Sequence, residues 1–227
     1  MLSGSVVPVT SLTGDQTDTM YALMARHYDH LDRDTFLADL AAKSDVILLR
    51  DPEGTIGGFS TLAVLRVSQS VQLVFSGDTV VDHTAWGRHD LTRTWIGYAF
   101  ERAASFQGRT YWLLMSKGWK TYRYLPMTFL EFYPRRGTTT PPAEAAIIDG
   151  FATRYGARYV AGVLKPDKDR VKPEYSQVPE TARQDPDIAF FLEANPGHEQ
   201  GDELVCLALI APENLTAMGL TLLNQAG

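Results

Sequence analysis

Two carboxylates and one phenol in this sequence are placed where they could exchange protons with a bound substrate. Asp78 lies within, and Asp82 closes, the predicted strand QSVQLVFSGDTVVD (69–82), and period-2 alternation puts both on one face. Tyr124 follows a second apolar run, TYWLLM (110–115). A carboxylate suits a general base and a phenol suits a general acid. The alternatives are strand-end carboxylates that face solvent or cap a turn, and a tyrosine that only packs in the core.

A basic segment, residues 86–136, surrounds Tyr124. It holds nine Lys and Arg residues against three acids, a net charge of +6, whereas the whole chain carries −6 and the remaining residues therefore sum to −12. A basic segment in an acidic protein favours one local anionic partner, and the alternative is a set of scattered, solvated charges. The acidic whole chain argues against a bulk nucleic-acid binder.

Other polar residues give weaker signals. Ser116 and Lys117 follow the run TYWLLM and could contact an anionic ligand, or could form an ordinary turn. His27 and His30 have helical i, i+3 spacing, but no Cys or third His lies near them, so no metal site is predicted. Cys206 is alone in an apolar run, which predicts a small buried hydrophobe, excludes an internal disulfide and suits a reducing cytosol.

Length and composition predict a globular protein. The chain has 227 residues, of which 44% are hydrophobic and 21% charged, so global disorder is not expected. The N-terminal residues lack the basic region and apolar run of a secretory signal. No window approaches the roughly 18 apolar residues that span a bilayer. We therefore expect a cytoplasmic protein without a membrane span.

The apolar periodicity predicts the element order β-α-α-β-β-β-α-β-α-β. The strands 45–50, 55–67 and 69–82 form an antiparallel meander, with Gly77 at a bulge or a close approach. The strand–helix–strand pattern over 74–115 implies a right-handed crossover and one parallel pair. The predicted fold class is α+β, with a mixed, mostly antiparallel sheet flanked by helices.

The run TTTPP divides the chain into a core, residues 1–137, and a C-terminal extension, residues 138–227, that packs on it. In the extension, residues 143–155 have a helical pattern, and 203–211 form an apolar strand that rejoins the sheet, followed by a short helix. Residues 165–202 are rich in Pro, Asp, Lys and Glu, which predicts a long ordered loop or lid.

The element order over residues 6–133 resembles the GNAT superfamily of N-acetyltransferases. In that family the sheet splays open between its fourth and fifth strands, and an acyl-pantetheine arm lies in the gap. The donor's pyrophosphate sits on backbone N–H groups at the start of the helix after the fourth strand. The resemblance therefore implies a splayed, GNAT-like sheet and an acyl-thioester donor.

Two family motifs fall on this sequence with substitutions. The phosphate-loop pattern (Arg/Gln)-x-x-Gly-x-(Gly/Ala) falls on WGRHDL (86–91), and the pattern Tyr-x-x-x-Gly-Phe falls on YLPMTF (124–129). The resemblance implies that Tyr124 protonates the leaving thiolate, and that Asp78 and Asp82 serve as base or water-ordering carboxylates. It implies a donor site built from the following residues: Val80, Val81, Trp86, Gly87, Arg88, His89, Asp90, Leu91, Ser116 and Lys117.

The resemblance implies an N-acyltransferase that moves an acyl group from a CoA or acyl-carrier-protein thioester to an amine of a small molecule. Acyl-homoserine-lactone synthases and long-chain N-acyl amino acid synthases share the fold, have a modified loop and use acyl carrier protein, whose acidity would suit the basic segment. No metal cofactor is implied. The alternative is a catalytically inactive binding protein that keeps the fold to hold an acylated carrier or another anionic ligand.

Overall fold

The computed structural model describes residues 2–86, 88–155, 157–166 and 168–226. The strands, in chain order, are β1 Ser3–Pro8, β2 Tyr28–Asp29, β3 Asp45–Arg50, β4 Ile56–Arg66, β5 Val71–Val81, β6 Arg109–Ser116, β7 Phe132–Tyr133, β8 Arg158–Val160, β9 Val163–Lys165, β10 Arg170–Val171 and β11 Glu203–Leu209. The helices are α1 Gly14–His27, α2 Arg33–Ala41, α3 Asp90–Ala104, α4 Trp119–Tyr122, α5 Tyr124–Thr128, α6 Pro142–Arg154, α7 Pro173–Ser176, α8 Glu180–Arg183, α9 Pro186–Ala194 and α10 Ala217–Asn224.

One large sheet organises the molecule, with the strand order β1-β3-β4-β5-β6-β11-β9-β8 and with β7 paired to β11. Its neighbouring strands are antiparallel except for β5 and β6, which are parallel and joined by the crossover helix α3. The predicted mixed, mostly antiparallel sheet is therefore confirmed. The C-terminal strand β11 lies inside this sheet and pairs with β6 through six residue pairs.

The sheet opens between β5 and β6. Their parallel pairing ends at Ser76 and Leu114, whereas the rest of β5, Gly77–Val81, continues alongside β4 alone. The register with β4 shifts at the same place, because three steps along β5 oppose two along β4. The predicted irregularity at Gly77 is confirmed. A free strand edge therefore faces the gap between β5 and β6.

Gly77 fits this position because two side chains lie against its backbone. A Cβ at Gly77 would lie 2.6 Å from Thr61 Oγ1 and 2.8 Å from Lys43 Cε. Contacts below 3.0 Å force a shift of the neighbours, so a larger residue would displace Lys43 from the wall of the gap. The glycine therefore sets how closely Lys43 approaches β5.

Three apolar clusters cover the sheet. One joins α3 to α4, α5, α9 and α10, a second joins α1 and α2 to β3 and β4, and a third packs α6 against β6 and β11. In the first cluster Trp95, Trp112 and Phe129 form a ring-to-ring contact group, with Trp95 and Trp112 centroids 4.3 Å apart. Such aromatic burial supplies much of a core's stability. It anchors both α3 and the segment after β6.

Local signals explain the first helices. Thr13 and Gln16 form a capping box at the start of α1, and the Asp32 carboxylate accepts a hydrogen bond of 2.7 Å from the Thr35 N–H at the start of α2. A cap of this kind stabilises a helix by about 1 kcal/mol. Among the described residues, no helix is long and apolar enough to cross a membrane.

The prediction of a long loop over residues 165–202 is wrong in its secondary structure. The described part of this segment contains three short helices, α7 to α9, of which α7 and α9 begin at Pro173 and Pro186. Proline suits the first helical position, because that N–H has no partner within a helix. Phe191 of α9 is fully buried, with its ring centroid 5.3 Å from that of Tyr122. The segment is therefore docked on the core through an aromatic residue.

Two smaller predictions also need correction. The last strand of the predicted element order, β7, has only the two residues Phe132–Tyr133, because Phe129 ends α5 and packs in the core. The hairpin of β8 and β9 was not predicted, since each of its strands has only three residues.

Candidate active site

A cavity of about 480 Å³ occupies the gap between β5 and β6. Its wall includes the free edge of β5, the residues that precede α3, the end of β6 and the end of α1. Residues of the segment after β9 cover one side of it, among them Val171 and Tyr175. This volume lies in the range of small-molecule and cofactor sites. The cavity has two ends of different chemistry, which we call the helix end and the network end.

The helix end is formed where α3 begins. Of the residues predicted to bind a donor here, Trp86, Arg88, His89, Asp90 and Leu91 line the cavity. Gly87 lies outside the described residues. The helix begins at Asp90, preceded by a His89 whose side chain makes no capping hydrogen bond. The predicted geometry, a helix start facing a cleft, is therefore present.

Asp90 changes the electrostatics of this helix start. It is only 7% exposed, and its Oδ1 accepts a hydrogen bond of 2.8 Å from Arg93 Nη2. The Arg88 Nε lies 3.6 Å from the other oxygen, Oδ2. Both arginines at this helix start, Arg88 and Arg93, are thus paired with the acid that begins the helix. Acids are favoured in the first turn because the helix dipole is positive there.

Trp86 and Tyr175 close the mouth of the cavity. The Trp86 indole N–H donates a hydrogen bond of 2.8 Å to the carbonyl of Val81, at the end of the free edge of β5. The Lys120 ammonium lies 3.6 Å from the centroid of the Trp86 ring, a cation–π contact. The Tyr175 ring lies 4.8 Å from that of His27. Val80 and Val81 also line the cavity, as predicted.

Tyr124 lines the cavity at the start of α5. Burial raises the pKa of its phenol, and the smaller opposing effects come from Thr92 and Arg123. The phenol is therefore fully protonated at neutral pH, as a proton donor must be. Phe129, at the other end of α5, packs in the aromatic core and anchors that end of the helix.

Asp78 lies on the irregular turn of β5 and lines the cavity. Its carboxyl is half-buried in the cavity wall. Burial raises the pKa of this carboxyl, whereas the positive charges of Lys117 and Lys168 oppose the rise. A carboxylate with a raised pKa is a stronger base than an exposed aspartate, so the environment suits proton abstraction.

Asp82 is placed differently from Asp78. It does not line the cavity, and its Oδ1 accepts hydrogen bonds from the N–H and hydroxyl of Thr84, while Arg26 lies 3.0 Å from Oδ2. Burial would raise the pKa of Asp82, but the Thr84 hydrogen bonds and the Arg26 charge outweigh it and lower the pKa. The structure therefore does not bring Asp82 to Asp78, because Asp82 caps the turn after the strand.

The network end contains buried charges that the sequence did not reveal as a group. Lys117 Nζ lies 2.5 Å from Asp169 Oδ2 and 3.4 Å from Glu203 Oε1, and all three side chains are at least nine-tenths buried. Lys168 contributes a further ammonium, 3.1 Å from Asp39. Glu203, Lys117, Lys168 and Asp39 line the cavity with Asp78. Lys117, predicted to contact the donor, thus lies in an ion-pair network.

Burial and neighbouring charges have opposite effects on the pKa values of Lys117 and Glu203. Burial would lower the pKa of Lys117, but Glu203 and Asp169 more than compensate and raise it. Burial raises the pKa of Glu203 despite the Lys117 charge, and its Oε2 has no hydrogen-bond partner among the described residues. Ser116, also predicted to contact the donor, is fully buried, and its hydroxyl donates to the Gly118 carbonyl.

The position of His27 in the cavity wall was also not predicted. It ends α1 and lines the cavity, and its Nδ1 lies 3.0 Å from the Leu23 carbonyl, which can only accept. The neutral ring therefore carries its proton on Nδ1. Among the described residues, no group of three or more His, Cys, Asp or Glu is arranged to hold a metal ion. Cys206 is fully buried in β11, and burial raises the pKa of its thiol.

One signal could have identified part of this network from the sequence. Glu203 opens the apolar strand ELVCLAL, and an acid at the inner end of a buried strand needs a buried partner. The residues Lys168 and Asp169 gave no such signal, because they lie in a segment rich in charges.

No family model matches this chain, and no curated protein matches it in sequence. The similar solved structures include GNAT N-acetyltransferases of low identity. The ribosomal-protein-S18-alanine N-acetyltransferase from Escherichia coli is 12% identical, with 94% of this chain and 99% of that chain covered and a TM-score of 0.43. Rv2747 from Mycobacterium tuberculosis, solved in complex with CoA and NLQ, is 11% identical, with 90% and 98% covered and a TM-score of 0.44.

The GNAT family N-acetyltransferase YhbS from Escherichia coli, in complex with CoA, is 15% identical, and the match covers 52% of this chain and 64% of that chain at a TM-score of 0.37. With TM-scores below 0.5, these likenesses carry no argument about the activity of this chain. The strand order and the parallel pair come from the chain itself. They form a mixed sheet that is splayed between the two strands flanking a crossover helix. This is the sheet that the resemblance to the GNAT superfamily implies.

Proposed function

We propose that this protein transfers an acyl group from a pantetheine thioester, of the CoA class, to an amine of a small molecule. The observation that carries the proposal is the free edge Gly77–Val81, which borders a cavity that Asp78 and Tyr124 also line. Such a reaction needs a site for the extended pantetheine arm, a group that accepts a proton and a group that donates one.

The donor arm lies along the free edge of β5. An extended chain with amide groups can add to an exposed strand edge through main-chain hydrogen bonds. Pairing between β5 and β6 stops at Ser76, so the N–H and C=O groups beyond it on that side are available to a ligand. The Val81 carbonyl is taken by Trp86, which limits the length of edge that the arm can use.

The reaction follows from the positions of Asp78 and Tyr124. Asp78 takes a proton from the acceptor's ammonium group, and the amine nitrogen then attacks the carbonyl carbon of the thioester. A C–N bond forms and the C–S bond breaks, so the electron pair of that bond leaves with sulfur. Tyr124 donates its proton to the thiolate, and the amide and a free thiol are the products. Each proton transfer of this kind contributes typically 10²–10⁴-fold to the rate.

The segment 165–202 serves as the cover over the acceptor side. Lys168, Val171, Tyr175 and Ser176 reach the cavity wall, and β10 pairs with β2 at the end of α1. This pairing comprises two residues on each strand, and the buried ion pair of Asp169 with Lys117 also ties the cover to the end of β6. A cover held in this way excludes water from the acceptor side during transfer.

Thiol release tests the proposal. The protein is incubated with acyl-CoA donors of different chain length and a panel of small amines, and the free thiol is measured with a colorimetric reagent. We expect thiol release that depends on the amine and falls about 10²-fold or more in Asp78→Asn. The matched control is Asp82→Asn, which removes a carboxylate four residues away that does not line the cavity.

Native mass spectrometry of the same samples separates the enzyme from its alternative. A bound donor with no amine-dependent thiol release in any combination would contradict acyl transfer and favour the binding protein. Equal turnover in the wild type and in Asp78→Asn would contradict the role of Asp78 alone.

A further inference from the structure

The start of α3 carries its own anion at the place where a phosphate group would be expected. Asp90 is the first residue of this helix, is only 7% exposed and contributes to the cavity wall. Its Oδ1 accepts from Arg93, whereas its buried Oδ2 has no hydrogen-bond partner among the described residues, because the Arg88 Nε at 3.6 Å is beyond hydrogen-bond distance. A buried carboxylate oxygen without a donor is unusual, because native structures pair such groups. It therefore indicates a missing donor.

The charges beside Asp90 do not replace a phosphate site. Arg93 does not line the cavity but a separate groove on the other side of α3, together with Thr94 and Glu101. Arg88 lines the cavity next to Asp90, and its Nε lies 3.6 Å from Asp90 Oδ2, so Asp90 offsets much of the positive charge that Arg88 offers to a phosphate. A pyrophosphate placed here would meet a buried like charge and would gain little from the helix dipole, which Asp90 already occupies.

The hydrogen-bonding capacity of Asp90 leads to the same result. An ionised carboxylate only accepts hydrogen bonds, and a pyrophosphate at neutral pH also only accepts them. A pantetheine arm, in contrast, carries two amide N–H groups and one hydroxyl that can donate. An amide N–H or the hydroxyl of the arm can therefore supply the donor that Asp90 Oδ2 lacks, whereas the phosphates cannot.

We propose that Asp90 is a specificity-determining residue that makes the site select its donor by the pantetheine arm and disfavour the adenosine pyrophosphate of CoA. This inference rests on the proposed function. The preferred donor is a pantetheine thioester with a single phosphate, which Arg88 can contact. Two sources have this chemistry, a free 4′-phosphopantetheine thioester and the same group attached to a carrier protein.

Calorimetric titration of three ligands tests this inference. CoA, 4′-phosphopantetheine and pantetheine are titrated into the wild type, Asp90→Asn and Glu101→Gln. We expect the wild type to bind 4′-phosphopantetheine at least as tightly as CoA. We expect Asp90→Asn to bind CoA about tenfold more tightly or better, because a like-charge contact is removed, and to gain nothing for pantetheine.

Glu101→Gln is the matched control. It removes one carboxylate from the same helix and changes the net charge equally, but Glu101 is exposed and does not line the cavity. Its CoA affinity should equal that of the wild type. Asp90→Ser is the second variant, because serine also suits a helix start and keeps the variant folded if Asn does not. Circular dichroism checks the fold of each.

Tighter binding of CoA than of 4′-phosphopantetheine by the wild type, with no gain in Asp90→Asn or Asp90→Ser, would overturn the role of Asp90 and leave acyl transfer intact. Binding of none of the three ligands would overturn both proposals. Acyl transfer from an acylated carrier protein is then compared with transfer from the free acyl-phosphopantetheine. Faster transfer from the carrier assigns the attached source, and equal rates assign the free one.

Discussion

The two ends of the cavity treat charge in opposite ways. At the helix end, the Arg88 side chain and Trp86 are each 43% exposed, so the groups that we propose to meet a donor remain in contact with water. At the network end, the side chains of Lys117, Asp169 and Glu203 are 9% exposed or less, and each charge depends on its neighbours. Exposed charges interact weakly and exchange partners, whereas buried ones are strongly coupled. The helix end can therefore bind and release, while the network end holds a fixed field around Asp78.

The largest expected effect is on stability, at the network end. Lys117→Met leaves the carboxylates of Asp169 and Glu203 buried without their cation, which should lower the free energy of unfolding by about 3–5 kcal/mol. Urea denaturation followed by circular dichroism measures it. Lys120→Met is the matched control, because its ammonium lies over the Trp86 ring at the cavity mouth and should contribute about 1 kcal/mol or less. Equal destabilisation by the two variants would remove the distinction between the ends.

The second prediction concerns the proton donor. Tyr124→Phe removes the hydroxyl but keeps the ring, so the turnover number should fall about 10²-fold while the donor affinity changes little. Thioesters with a more acidic thiol should lose less rate, because their thiolate needs no proton to leave. The measurement is kcat for two donors that differ in thiol acidity. An equal loss for both donors would contradict a proton-donating role.

The third prediction concerns Arg88 at the helix end and the affinity for phosphorylated donors. Arg88→Ala should weaken the binding of phosphorylated donors by roughly 1.5 kcal/mol, about tenfold, since hydrogen bonds to charged groups contribute about 1.5–3 kcal/mol and this one is partly screened by water. Pantetheine without phosphate should bind the variant and the wild type equally. Thermal unfolding should not change measurably, because Arg88 is largely exposed. A loss that is the same for both ligands would show that Arg88 does not contact phosphate.

The smallest expected effect is a pH dependence of stability with opposite signs at Asp78 and Asp82. The folded pKa of Asp78 is raised by burial, so its contribution to stability is present at low pH and is lost as pH rises through the unfolded pKa towards the folded one. The folded pKa of Asp82 is lowered, because the Thr84 hydrogen bonds and Arg26 outweigh burial. Its contribution is therefore present above the unfolded pKa and is lost as pH falls through the folded one.

Unfolding of two variants between pH 3 and 7 checks these signs. Asp78→Asn should be more stable than the wild type at pH 7, and this advantage should vanish at acid pH. Asp82→Asn should be less stable than the wild type at pH 7, and its deficit should vanish at acid pH. Stabilisation by both substitutions at pH 7 would contradict the assignment of Asp82 to a cap.

The parts of this molecule that local patterns determine were predictable from the sequence. The meander of β3 to β5, the irregularity at Gly77 and the crossover helix follow from periodicity and glycine placement, and the position of Tyr124 follows from motif spacing. The network end was not predictable, because Lys117 and Asp169 are 52 residues apart and Glu203 comes from a third element. The helices α7 to α9 escaped prediction because helices of four to nine residues depend on packing such as that of Phe191.

The place of β11 in the sheet has a consequence for how the protein is made. This strand fills the position beside β6, and it carries Glu203. It begins 87 residues after β6 ends, counted from Ser116 to Glu203. A chain still on the ribosome therefore presents β6 with one free edge, which is a template for wrong pairing. Long-range pairing of this kind is also slow to form. The charged end of the cavity is consequently completed late, because Glu203 joins it only when β11 pairs with β6.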